Sequence, residues 1–222
     1  MIVDYTEKLV FIHIPKTAGT TISLVLSMTC HSLAGFSNAH SSISQIKQNM
    51  NTDGFKFVTF VRNPYDRFKS MYNFLLIKGM MHDTPVTFAL NLFQKKYQWN
   101  FTHPMSFFCK MKDLDDVGRV ETFEKDFQRI FNKPFEIPAK NKTERADIYT
   151  QFPQLRDMVA RLYYEDFIEF KYEIDTIIYK EIPVQWKESD LEPPRTVEYI
   201  QSEYVQTGSI FDRIPLTKMV TR

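Results

Sequence analysis

Two short segments of this chain carry residue types that bind anions. The first is Ile14-Pro15-Lys16-Thr17-Ala18-Gly19-Thr20-Thr21. It follows an apolar run and precedes a helical pattern, and a helix start offers unpaired backbone N–H groups and the positive end of the dipole. Gly19 would let the backbone approach an oxyanion closely, Lys16 adds a point charge, and the threonine hydroxyls add donors. The other reading of these residues is a strand–helix turn in which Thr20 or Thr21 is only an N-cap. A Walker-type loop is excluded, because G-x-x-x-x-G-K-[ST] is missing and Lys16 precedes its glycine.

The second segment is Phe60-Val61-Arg62-Asn63-Pro64-Tyr65-Asp66-Arg67-Phe68-Lys69-Ser70. Arg62, at the end of another apolar run, can fork onto a phosphate, and Ser70 falls about two turns into the next helix. Two anion sites at the carboxyl edge of one sheet imply a ligand with phosphate groups at both ends, lying across that edge. The alternative for Arg62 and Arg67 is pairing with Asp66 or another carboxylate.

The elements that must position these residues follow from periodicity. Leu9 to Ile14 is a β-branched run stopped by Pro15, and Phe55 to Val61 is a second one stopped by Arg62-Asn63-Pro64; both read as buried parallel strands. A helix starts at Thr20 or Thr21, another behind the candidate caps Ser41 and Ser42, and a third spans Tyr65 to Ile77 with Phe68, Met71, Tyr72 and Leu75 on one stripe. Pro85 to Tyr97 reads as helix. Val117 to Phe123 reads as strand feeding a helix through Phe127 and Phe131, and Pro153 to Tyr164 as an amphipathic helix. Strand, loop and helix in alternation predict an α/β fold: a P-loop-like parallel sheet flanked by helices in three layers. Residues 1–172 form the expected domain. Prolines interrupt the pattern beyond it, so residues 173–222 read as an appended tail, with one helix at Thr196 to Val205.

Composition narrows the function classes. Lys+Arg 28 against Asp+Glu 27 in 222 residues leaves +1, which excludes a polycationic nucleic-acid binder. A hydrophobic content of 43% excludes wholesale disorder. Cys30 and Cys109 are too few for a disulfide framework or zinc site and read as small buried hydrophobes. The N-terminal residues lack the order of a signal peptide, and no apolar run reaches the roughly 18 residues that span a bilayer. The expectation is a soluble, cytoplasmic protein with no membrane span, or a Golgi-lumenal one if the chain is a fragment of an anchored protein. Without that signal, the sequons at Asn100 and Asn141 read as chance.

The pair Pro15-Lys16-Thr17-Ala18-Gly19-Thr20 and Arg62-Asn63-Pro64-Tyr65-Asp66-Arg67-Phe68-Lys69-Ser70 resembles the two cofactor motifs of PAPS-dependent sulfotransferases, closest to the carbohydrate-type family 2 branch. Two motifs in the right order, each after a strand, are a specific signal. Arg119 to Phe127, Asn141-Lys142-Thr143 and Tyr163 to Tyr172 resemble later parts of that family, so the likeness runs from Leu9 to Tyr172. The resemblance implies that Pro15, Lys16, Thr17, Ala18, Gly19, Thr20 and Thr21 hold the 5′-phosphosulfate. It implies that Arg62 and Ser70 hold the 3′-phosphate, and that Asn141 and Lys142 cover the cofactor. PAPS would be the donor, PAP the product, and no metal would be needed. Lys16 would meet charge developing on the leaving phosphate.

An acceptor hydroxyl also needs a base with a pKa near working pH. His40, between the two motifs and just before a capped helix, is the first choice; its other reading is a surface or capping histidine. His103, facing the acceptor, is the second candidate, and Glu121 the third. His13, alternating with Phe11 along its strand, reads as a core histidine. The acceptor is expected to be a carbohydrate or small metabolite, bound by residues 36–51 and 78–108, whose aromatics suit a sugar face and core packing equally. Two rival functions stay open: a P-loop kinase of a small alcohol, and a catalytically inactive nucleotide-binding module.

Overall fold

The computed structural model describes residues 1–29, 33–35, 40–97, 99–132 and 147–174. Among them five strands form one sheet: β1 (Ile2–Asp4), β2 (Leu9–Ile12), β3 (Leu33–Gly35), β4 (Lys56–Val61) and β5 (Asp116–Arg119), in the order β3-β1-β2-β4-β5. β2, β4 and β5 are mutually parallel, with Ile12 opposite Thr59 and Val61 opposite Arg119. β1 runs antiparallel to β2 and to β3. The expected parallel α/β sheet is therefore present, extended by a reversed strand. Three residues are too few for alternation to disclose, so β1 does not stand out in the sequence pattern.

The helices are α1 (Gly19–Thr29), α2 (Ile43–Asn49), α3 (Pro64–Ile77), α4 (Pro85–Phe93), α5 (Met105–Phe108), α6 (Phe123–Phe131), α7 (Ile148–Gln151), α8 (Gln154–Leu162) and α9 (Tyr164–Glu169). Side chains alternate across the sheet. Phe11, Val58 and Phe60 pack with Ile22 and Leu26 of α1 and with Phe127 and Phe131 of α6. Val10, Ile12, Phe57 and Val61 pack on the other face with Ile43 and Ile46 of α2, with Met105 and Phe108 of α5, and with Phe170. Burial on both faces explains why these strands read as continuous apolar runs. A separate helical core joins the α3 stripe (Phe68, Met71, Tyr72, Leu75) to Phe88 of α4 and Leu155 and Val159 of α8.

Boundaries differ from the expected ones where local chemistry intervenes. α4 stops at Phe93, and the left-handed Lys95 (φ 52°) turns the chain. The strand expected to reach Phe123 ends at Arg119, and Val120–Thr122 is a 3-10 turn. Cys109 is buried as expected, and burial pushes its thiol pKa up. No helix among the described residues is long and apolar enough to cross a membrane. Cys30, Asn141, Lys142 and the tail from residue 175 lie outside the described residues.

Candidate active site

The two loops leave the same end of adjacent parallel strands, β2 and β4. In the first, Lys16 (φ 69°) and Ala18 (φ 64°) are left-handed while Thr17 between them is not. Such alternation turns successive N–H groups to one side, making an anion-binding concavity. The carbonyls are pinned away from it. Thr17 Oγ1 donates to Ile14 O at 2.9 Å, Arg67 Nε donates to Pro15 O at 3.1 Å, and the N–H groups of Thr21 and Ile22 donate to Ala18 O at 2.9 and 3.1 Å. Among the described residues, the N–H groups of Thr17, Ala18, Gly19 and Thr20 have no hydrogen-bond partner. The Thr17 hydroxyl, expected as a phosphate donor, is fully buried and holds the loop instead.

The second loop is built differently. Asn63 caps α3 by accepting from Tyr65 N at 2.9 Å, and Pro64 occupies the first turn. Asn63 N donates to Glu121 Oε1 at 2.6 Å, and Tyr172 Oη donates to Glu121 Oε2 at 3.1 Å. Arg62 is half-buried, and no carboxylate or carbonyl among the described residues engages its guanidinium. The Ser70 hydroxyl is likewise uncommitted among them. Lys16 reaches across to this helix: its Nζ lies 4.1 Å from the centre of the Phe74 ring, one turn beyond Ser70 on the same face.

Arg67 answers to the second reading offered for it, though with a carboxylate far along the chain and not Asp66. Only 1% exposed, it spans Pro15 O, His103 O at 2.7 Å and Phe101 O at 3.4 Å, with Asp166 Oδ2 at 3.9 Å. Asp166 also accepts from Met105 N and Ser106 N, both at 2.8 Å. One buried guanidinium thus ties the first loop, the helix of the second, residues 101–103 and α9 together.

His40 sits in the turn before α2, whose start is a capping box between Ser42 and Gln45. Its Nδ1 lies 2.8 Å from His13 O. A carbonyl can only accept, so Nδ1 carries the proton and Nε2 of the neutral ring holds the lone pair. Burial lowers the His40 pKa, against the pull of that hydrogen bond, and Arg67 and Lys16 lower it further. The ring is therefore neutral and oriented by His13 O, near enough to Lys16 to feel its charge.

The other candidates are placed elsewhere. His103 is completely buried, its ring stacked on Phe107 at 4.9 Å, so it does not face an acceptor. Glu121 accepts from Asn63 N and from Tyr172 Oη, one at each carboxylate oxygen. His13, expected in the core, stands just past β2 with its ring 4.5 Å from that of His40. Its alternation with Phe11 points to packing, and only the fold shows that the strand has already ended. A profile described as the sulfotransferase family matches residues 1–173 and so takes in β1 as well as both loops. Searches of curated proteins and of solved structures find no match.

Proposed function

The chain belongs to the sulfotransferase family, and on that premise we propose that it moves the sulfuryl group of PAPS to a hydroxyl of a carbohydrate or small-metabolite acceptor, releasing PAP. The observation that carries this reading is the pair of uncommitted donor sets on neighbouring strand ends. Among the described residues they are four unpartnered N–H groups at the first loop and the Arg62 guanidinium with the Ser70 hydroxyl at the second. A ligand with a 5′-phosphosulfate and a 3′-phosphate answers both; one with a single phosphate chain answers the first alone. Residues 1–172 are the catalytic domain and residues 173–222 an extension, a division supported by the family match ending at residue 173.

In this reading Pro15 to Thr21 hold the phosphosulfate and Arg62 and Ser70 the 3′-phosphate, with Asn141 and Lys142 closing over the cofactor. His40 Nε2 takes the proton of the acceptor hydroxyl as its oxygen bonds to sulfur. The bond from sulfur to the bridging oxygen of the 5′-phosphate breaks, and its electron pair stays on that oxygen, where Lys16 meets the charge. One sulfate ester, PAP and one proton leave for each hydroxyl and PAPS consumed. No step assigned to these residues calls for a metal.

Titration calorimetry with PAP, AMP and ATP tests the assignment. Charge-assisted hydrogen bonds to a 3′-phosphate contribute about 1.5–3 kcal/mol each, so PAP is expected to bind at least about tenfold more tightly than either. Equal affinities overturn the PAPS reading and favour the kinase. Tight PAP binding with no turnover on any hydroxyl acceptor leaves an inactive binding module.

A further inference from the structure

His13 plays no part in that mechanism, yet the first loop is shaped around it. The ring edge carrying Cδ2 and Nε2 lies over Gly19: a Cβ added there would stand 1.9 Å from Cδ2 and 2.2 Å from Nε2. The loop glycine is therefore the space the imidazole occupies, more than a concession to an approaching anion. The other side of the ring meets His40, at 69° between planes. Neither ring nitrogen of His13 makes a hydrogen bond among the described residues. Burial lowers its pKa to about 3, with His40 and the amino terminus of Met1 adding to the effect. A neutral imidazole keeps one N–H to donate, and on this half-buried ring it is uncommitted among the described residues. The same device, a neutral histidine used as a hydrogen-bond donor at a helix start, suits a site where a second cation beside Lys16 would be expelled.

We propose that His13 is a ligand of the donor substrate, its ring N–H donating to an oxygen of the 5′-phosphosulfate seated on the N–H groups of Thr17 to Thr20. The inference rests on the PAPS reading. The two histidines then differ in what they do with a proton. His40 exchanges one, while His13 keeps its own and lends it to a hydrogen bond. The spacing of His13 and Gly19 is explained as well, since ligand and vacancy must face each other across the loop.

Three probes that need no acceptor test it: PAPS, PAP and adenosine 3′-phosphate, titrated against wild type, His13→Phe and His13→Gln. Phe fills the same space without a donor; Gln restores an N–H without the ring. His13→Phe is expected to weaken PAPS about ten- to hundredfold, as for a lost hydrogen bond to a charged group. Adenosine 3′-phosphate, which lacks the 5′ group and reports on the second loop, should bind all three alike and shows that they are folded. His13→Gln should recover most of the PAPS affinity. Unaltered PAPS binding by His13→Phe, a Gln variant no better than Phe, or equal losses for all three probes overturns the proposal and assigns the ring to packing. Wild type that binds none of the probes overturns the PAPS reading with it, whereas wild type that binds PAPS leaves that reading standing whatever His13 does.

Discussion

On the proposed reading the two loops are both anion sites at one sheet edge, but they are made in opposite ways. The first would bind with its backbone, so the atoms that would hold a ligand are the atoms of the fold. Its left-handed Lys16 and Ala18 each cost about 1 kcal/mol or more, a strain that persists only where surrounding structure over-determines it. Here Arg67, Thr17 and the first turn of α1 do that. The second loop divides the labour among side chains. Asn63, Pro64 and Glu121 set its shape, and Arg62 and Ser70 are left over for a ligand. The difference teaches that damage to the first loop should appear as lost stability and lost affinity together, while in the second the two are separable.

The largest effect expected of that contrast is at Arg67. Arg67→Met removes the donor to Pro15 O and leaves the Asp166 carboxylate buried without its cation. Breaking a buried pair from one side costs about 3–5 kcal/mol, readable by urea denaturation, and PAP affinity should fall with it as the first loop relaxes. Arg62→Ala is the counterpart, with unfolding changed by no more than about 1 kcal/mol, since the half-buried guanidinium engages no carboxylate or carbonyl among the described residues, and PAP binding weakened. If Arg67→Met melts like wild type, or Arg62→Ala loses comparable stability, the division between backbone site and side-chain site is wrong.

A smaller effect sharpens the same contrast through pH. In the unfolded chain His13 takes up a proton near 6.5; in the folded protein burial delays that to about 3. Between those values the unfolded state binds more protons, so stability falls as pH is lowered through this window. From pH 7 to pH 5 the loss from this one group is about 2 kcal/mol, and His40, also lowered, adds in the same direction. Urea titrations of wild type and His13→Phe at the two pH values read it directly: the variant should lose about 2 kcal/mol less than wild type. Equal losses would mean that the ring beside Gly19 is open to protons and that the first loop is less tightly bound into the fold than its geometry implies.

How far the sequence disclosed all this depended on the range of each interaction. The strands β2 and β4, the α3 stripe, the Ser42 cap and both loops were legible because their signals are local: an apolar run, a period of 3.6, a capping residue. His40 was singled out from its place between two motifs and beside a cap, together with the family resemblance, and the structure places it against His13 O. The framework of the first loop was not legible, because Arg67 meets Pro15, His103 and Asp166 only after the helical core has assembled. Nothing in the spacing of residues 13 and 19 says that the histidine ring will fill the place of a glycine side chain. Glu121 was singled out as a third base candidate, and no local signal says that its carboxylate also holds the Asn63 amide at 2.6 Å, a contact between residues 58 apart.

The smallest expected effect lies at Asn63, and it tests whether shape and binding in the second loop are truly separate. Its side chain accepts from Tyr65 N at the start of α3, while its own N–H is held by Glu121. Asn63→Ala loses the cap and should cost about 1 kcal/mol of stability. The Glu121 contact survives because it uses the backbone, so Arg62 should move little and PAP affinity should fall no more than a fewfold. Asn63→Asp restores an acceptor for Tyr65 N and places a negative charge at the positive end of the α3 dipole, so stability should return to wild type or slightly above. The same carboxylate stands next to Arg62 along the chain and competes with a 3′-phosphate for its guanidinium, so PAP should bind more weakly to Asn63→Asp than to Asn63→Ala, and more so at low salt. Stability and affinity would then move in opposite directions across the two variants, which a backbone-built site cannot do. If they fall together in both, the second loop is as unified as the first, and the contrast between the two fails.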